Sequence, residues 1–150
     1  MALLLARPSS PFQEVLMRLV RLWLPALLWM LLIYLFSAQA HSGQITENYL
    51  HDANVPVRKL AHMAEYAVLA LLYRRALAGN WFAFLLTIAY AASDEWHQSF
   101  VPGRSASPLD VLVDAGGAMT ALLVREWWRR RKESWIDPSA PSPDTDRQNS

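Results

Sequence analysis

The chain has no cysteine in its 150 residues, which excludes disulfides and thiolate chemistry and leaves the redox compartment unspecified. An excess of either charge is also missing: Lys and Arg number 14 against 13 Asp and Glu, for a formal net charge of +1. So even a balance carries no electrostatic footprint for nucleic acid, and nucleic acid is set aside as a partner. Charged residues are missing from whole blocks. Leu22 to Phe36 and Trp81 to Ala92 hold none, and Val111 to Val124 holds only Asp114. A proton or ion relay needs ionisable groups through the full depth of a bilayer, and Leu69 to Leu72 and Phe82 to Leu86 supply none. A conducting pathway is therefore the weakest of the candidate functions.

What is present is apolar sequence in blocks. Hydrophobic residues make up 53% of the chain, and the mean hydropathy is only +0.10 because two polar ends dilute them. The pattern predicts an all-α, four-transmembrane-helix bundle with spans at about 19–38, 55–77, 81–98 and 108–125. These lie in a membrane domain at 18–132, after a loosely ordered lead-in at 1–17 that holds Pro8, Ser9, Ser10 and Pro11. A Pro, Ser and Asp-rich tail at 133–150 is read as disordered. Asn54 is a candidate cap for the second span, with Pro56 in its first turn; Gly79 and Asn80 close that span. Pro102-Gly103 marks a short turn, which makes spans three and four adjacent and antiparallel. Ser107, Pro108 and Asp110 stand at cap, first and third helical positions of span four. The polar stretch from Gln39 to Asn54, with His41 and His51, reads as a solvated loop.

Of the 14 basic residues, all but Arg58, Lys59 and Arg104 fall at the N-terminus, after span two or at the C-terminus. The positive-inside rule then puts both termini in the cytoplasm and the polar residues of the spans on the outer side. A competing reading takes Arg18, Arg21, a short apolar core and Ala38-Gln39-Ala40 as a signal peptide with its cleavage site, though forty residues is long for one.

The informative residues are the charges placed inside the spans. A charge at the bilayer centre costs roughly 2.5 to 3.5 kcal/mol, so these side chains must face one another. On span two, Arg58, Lys59, His62, Glu65 and Tyr66 fall within an arc of roughly 120°. On span three, Thr87, Tyr90, Asp94, His97 and Gln98 share a face, with Glu95 at its edge. On span four, Asp110 and Asp114 are stacked one turn apart and continued by Gly117 and Ala118, small residues that admit a close neighbour. At 1.5 Å per residue the three sets reach a similar level, which defines an outward-facing polar pocket.

The segments "RKLAHMAEYAVLALL", "SDEWHQSFVPGRSASPLD" and "DVLVDAGGA" carry a resemblance to the VanZ-like family of small bacterial integral membrane proteins, across roughly residues 22 to 124. On that resemblance His62, Glu65, Tyr66, Asp94, Glu95, His97, Gln98, Arg104, Asp110 and Asp114 occupy the family's characteristic polar positions. It implies an association with low-level resistance to teicoplanin, a lipid-tailed glycopeptide. Thr120 stands where a further glycine is expected.

Several readings of the pocket stay open. As an enzyme, it would act on the headgroup of a lipid or a lipid-linked envelope precursor. His97 held by Asp94 or Glu95, and His62 held by Asp114, would then be the proton-transfer groups, with Glu65 in the same catalytic set. Lys59, Tyr66, Gln98, Arg104 and Asp110 would bind the substrate, Arg104 and Lys59 through phosphate. As a binding module, it would recognise an envelope lipid or glycopeptide without turnover. A metal alternative places an ion among His62, Glu65, Asp94 and His97, an inverted repeat of carboxylate and histidine pairs; no cofactor is otherwise indicated. The bland reading is a buried network that holds helices in register. Lys59, in a first turn where the helix dipole disfavours a cation, calls for a partner carboxylate such as Asp94 or Asp114. Asp110 is equally read as the second half of a capping box with Ser107, and Arg104 as a headgroup-level anchor. Trp23, Trp29, Trp81, Trp96, Trp127 and Trp128 read as interface markers. Gly116, Gly117 and Ala118 could serve contacts within or between chains, and the sequence leaves oligomeric state open.

Overall fold

Ser10-Pro11-Phe12-Gln13 begins the first helix, α1 (Pro11–Ser37), in a computed structural model that describes residues 10–39, 54–102, 104 and 106–136. Ser10 Oγ accepts from the Gln13 amide at 3.3 Å while Gln13 Oε1 accepts from the Ser10 amide at 3.0 Å, with Pro11 preset for the first turn. The helix thus begins ahead of the span expected from about residue 19 and takes in residues 11–17 of the lead-in. The other helices are α2 (Asn54–Ala76), α3 (Asn80–Gln98) and α4 (Pro108–Ile136). Among the described residues there is no strand. Asn54, expected as a cap, is the first helical residue of α2. The proposed solvated loop with His41 and His51, and the tail beyond 136, lie outside the described residues.

Helix α4 runs eleven residues past the expected end at 125. Glu126 pairs with Arg129 at 2.6 Å and Arg130 at 3.1 Å, and Arg129 also reaches Glu133. Such three- and four-residue spacings support a helix outside an apolar environment. Hydrogen bonds from Arg129 and Arg130 pull the Glu126 carboxyl down to about 2, so the pairing stays charged at any pH a cell meets.

Helix α2 is the hub. It packs against α4 most extensively, and against α1 and α3, while α3 and α4 also pack together. The close approach of α2 and α4 depends on Gly117: a Cβ there would run into the backbone of Met63. Gly116, one residue away, faces open space. The core is narrow, built from Ile33, Tyr66, Leu69, Ala70, Tyr73, Ala83, Ala91, Ala118 and Leu122. Larger apolar side chains such as Leu27, Leu28, Leu31, Phe82, Leu112 and Leu123 point outward. So large an exposed apolar perimeter around so narrow a core departs from the usual arrangement in water.

Among the described residues one helix, α1, is long and apolar enough by itself to cross a membrane, with 27 residues and a mean hydropathy of 2.0 over its best window. The expected spans at 55–77, 81–98 and 108–125 do form helices but fall short of that criterion. The charges and amides that line the polar pocket are what lower their hydropathy. Polar donors fasten α1 to the bundle: Trp29 Nε1 donates to the Glu65 carbonyl at 2.9 Å, and Tyr90 Oη to the Met30 carbonyl at 2.6 Å. Tyr73 Oη also reaches Met30 Sδ at 3.0 Å, and Arg104 Nη2 donates to the Phe36 carbonyl at 3.0 Å. Pro25 sits in the helix interior, where it withdraws a main-chain donor; a bilayer helix tolerates this when neighbours pack around it.

Candidate functional site

A cavity of about 270 Å³ opens among α2, α3, α4 and the α3–α4 loop, lined by Arg58, Lys59, His62, Glu95, Gln98, Arg104, Ser107, Asp110, Val113 and Asp114. A second cavity, of about 220 Å³, lies between α1 and α2 and is lined by Ile33, Phe36, Ser37, Gln39, Arg58, Ala61, His62, Glu65 and Arg104. Eight of the eleven residues singled out in sequence line one or both: Lys59, His62, Glu95, Gln98, Arg104, Asp110 and Asp114 the first, Glu65 the second. Tyr66, Asp94 and His97 line neither.

His62 and Asp114 face each other across the first cavity with Nδ1 and Oδ1 3.8 Å apart. That is too long for a hydrogen bond, and both atoms are buried without a partner among the described residues. Asp94 lies behind the lining and holds Gln98, which is part of it: its Oδ2 accepts from Tyr66 Oη at 3.0 Å and from Gln98 Nε2 at 2.9 Å. Its Oδ1 is buried without a partner among the described residues. Tyr66 is fully buried, so it acts on the cavity through Asp94.

Three expected pairings are corrected. Lys59 reaches Asp110 Oδ1 at 2.9 Å, not Asp94 or Asp114. Both residues sit near the N-terminal ends of α2 and α4, whereas Asp94 is held lower down by Tyr66. Asp110 does not complete a capping box with Ser107, because the Ser107 amide donates to Glu95 Oε1 on α3 instead. Ser107 Oγ still takes the Leu109 amide, at 3.3 Å. His97 is not held by Asp94 or Glu95: its ring lies 4.8 Å from that of Tyr34 on α1, and Nε2 is buried without a partner among the described residues. One helical turn separates Asp94 from His97, but Asp94 turns to α2 and His97 to α1.

The same geometry bears on the four residues of the metal alternative. With His97 turned to Tyr34 and Asp94 committed to Tyr66 and Gln98, the four proposed ligands do not converge. Among the described residues no group of three or more His, Asp or Glu side chains is disposed to hold an ion.

Arg58 is the residue whose importance sequence reasoning passed over. It lies on the polar stripe of span two, where the sequence points to Lys59 beside it as the binding cation. In the structure Arg58, with His62 and Arg104, borders both cavities. Arg104 is half-buried; burial first, and then the neighbouring Arg58 cation, lower its guanidinium from the ordinary value. Its Nε is buried without a partner among the described residues. The tryptophans are not all passive markers either, since Trp29 is a structural donor to α2.

A family model described as VanZ/LLP1 matches residues 22–129. The chain belongs to the VanZ/LLP1 family. The VanZ/LLP1 match takes in α2 and α3 whole, most of α1 and α4, and every residue that lines the first cavity. No curated protein and no solved structure matches the chain.

Proposed function

We propose that this VanZ/LLP1 protein is a multi-pass protein of the bacterial plasma membrane. Its outward pocket takes the headgroup of a lipid or lipid-linked cell-envelope molecule and catalyses proton transfer on it. The observation that carries this reading is the unsatisfied His62 and Asp114 pair on the wall of a cavity that also holds Arg58, Lys59 and Arg104. A histidine beside a carboxylate is the usual make-up of a general base, and the cations suit an anionic headgroup. With Nδ1 set toward Asp114, Nε2 is the nitrogen left for the ligand. Glu95 serves as a positioning residue, holding the Ser107 amide and with it the loop that carries Arg104. Spanning by all four helices is supported by the outward apolar perimeter and by the enclosure of the charges. Teicoplanin survival is the accompanying phenotype.

One observation favours a binder without turnover. Asp94, Glu95 and Asp110 already accept hydrogen bonds inside the bundle, which leaves few free groups for chemistry. Lipid mass spectrometry of cells with and without the gene, repeated for His62→Ala and His62→Gln at matched membrane abundance, separates the two. The enzyme reading expects an altered lipid that both substitutions abolish. An unaltered lipid profile, with teicoplanin survival retained by His62→Gln, overturns it in favour of the binder.

A further inference from the structure

The two cavities meet at one partition. Arg58, near the N-terminal end of α2, and Arg104, on the α3–α4 loop, both border each cavity, and His62 lies between the same two spaces. The third cation of the site, Lys59, is taken by Asp110, whereas two guanidinium groups are left side by side at the junction. Arg104 spends one nitrogen on the Phe36 carbonyl and has a second buried without a partner among the described residues. Two half-buried cations at one partition repel each other, and the Arg104 guanidinium stays lowered in spite of the nearby carboxylates Asp94, Glu65 and Glu95, so a shared anion is favoured there. Planar forks next to a helix N-terminus suit a tetrahedral oxyanion in particular.

What lies on each side restricts the anion further. The second cavity brings apolar surface from Ile33, Phe36 and Ala61 at the end of α1. The first brings the acceptors Glu95 and Asp114, which ask for a group that can donate hydrogen bonds. At about 270 Å³ it falls just below the roughly 300–1,000 Å³ usual for ligand sites, so it admits a compact headgroup and not a glycopeptide.

We propose that Arg58 and Arg104 form a subsite for a phosphate that bridges a lipid chain to a small hydroxyl-bearing headgroup, the chain lying against the second cavity and the headgroup in the first. This rests on the reading of the pocket as a headgroup site. It moves phosphate recognition from Lys59 to Arg58 and specifies a bridging phosphate, not a terminal one.

The test is native mass spectrometry of the full chain in detergent with added phosphatidylglycerol, phosphatidic acid, phosphatidylcholine or inorganic phosphate. Phosphatidylglycerol should bind best, because phosphatidylcholine offers no donor to the carboxylates and phosphatidic acid leaves the first cavity empty. Arg58→Gln and Arg104→Gln should each weaken phosphatidylglycerol about tenfold or more. Arg58→Lys should fall between, since it keeps the charge and loses the fork. Arg75→Gln, at the far end of α2, should leave binding unchanged. Melting of each variant checks that it is folded, and Arg58→Lys and Arg104→Lys keep the test valid if a Gln variant is not. Equal binding by wild type and both Arg58 and Arg104 variants overturns the subsite. Phosphatidic acid or inorganic phosphate binding as tightly as phosphatidylglycerol overturns the bridging assignment, as does wild type binding none of them. Each of these failures leaves the cellular lipid comparison, which tests the headgroup reading, to be decided on its own.

Discussion

Tyr66 shows how much of the site depends on a residue that never reaches it. Its hydroxyl, with Gln98, fixes one oxygen of Asp94, and the placement of Gln98 in the cavity lining follows from that. Tyr66→Phe keeps the ring and its packing but removes the donor, so it should destabilise the protein by about 1 to 2 kcal/mol. Reversible unfolding in mixed micelles measures this; an unchanged midpoint would show that the hydrogen bond contributes nothing net. At this scale the sequence was legible in its types and less so in its pairings. Spacing by three and four put His62, Glu65, Asp94 and Asp114 on inward faces, because helical geometry alone determines that. It did not assign Lys59 to Asp110, or His97 to Tyr34, because a partner is chosen by helix rotation and relative height, which spacing within one helix does not encode.

At the scale of the element, the α2–α4 contact is the most specific piece of packing. Gly117→Ala forces a methyl group into the Met63 backbone, which cannot step aside as a flexible side chain would. A cost of about 1 to 3 kcal/mol is expected. Gly116→Ala meets nothing within 4 Å and should stabilise α4 by about 0.5 to 1 kcal/mol through helix propensity. Thermal melting of the two variants should therefore move in opposite directions, and a shared direction would contradict the packing described. The helix starts and stops illustrate a second lesson. Span boundaries drawn from hydropathy track where lipid would end, whereas Ser10 with Gln13, and Glu126 with Arg129 and Arg130, carry a helix further by capping and ion pairing. Both signals were present in the sequence, outside the apolar blocks that defined the spans.

The whole molecule is best interrogated through its lack of cysteine, which makes any introduced thiol the only one. In the proposed four-pass arrangement Ala106, exposed on the α3–α4 loop, faces outward, and Ala78, exposed between α2 and α3, faces the cytoplasm. A membrane-impermeant maleimide should label Ala106→Cys in spheroplasts at once and Ala78→Cys only after permeabilisation. Labelling of both from one side would refute the four-pass topology, and the reverse order would refute its orientation. Retention of α1 belongs to the same picture. It supplies Ile33, Phe36, Ser37 and Gln39 to the second cavity, so cleavage at Ala38-Gln39-Ala40 would dismantle one of the two chambers.

The bonds that hold α1 carry one more implication. Trp29, Tyr90 and Arg104 each donate to a peptide carbonyl, at Glu65, Met30 and Phe36. A peptide oxygen is indifferent to the side chain it accompanies. Drift at positions 30, 36 and 65 thus leaves these three fastenings in place, and the constraint on variation falls on the indole, phenol and guanidinium that supply the protons.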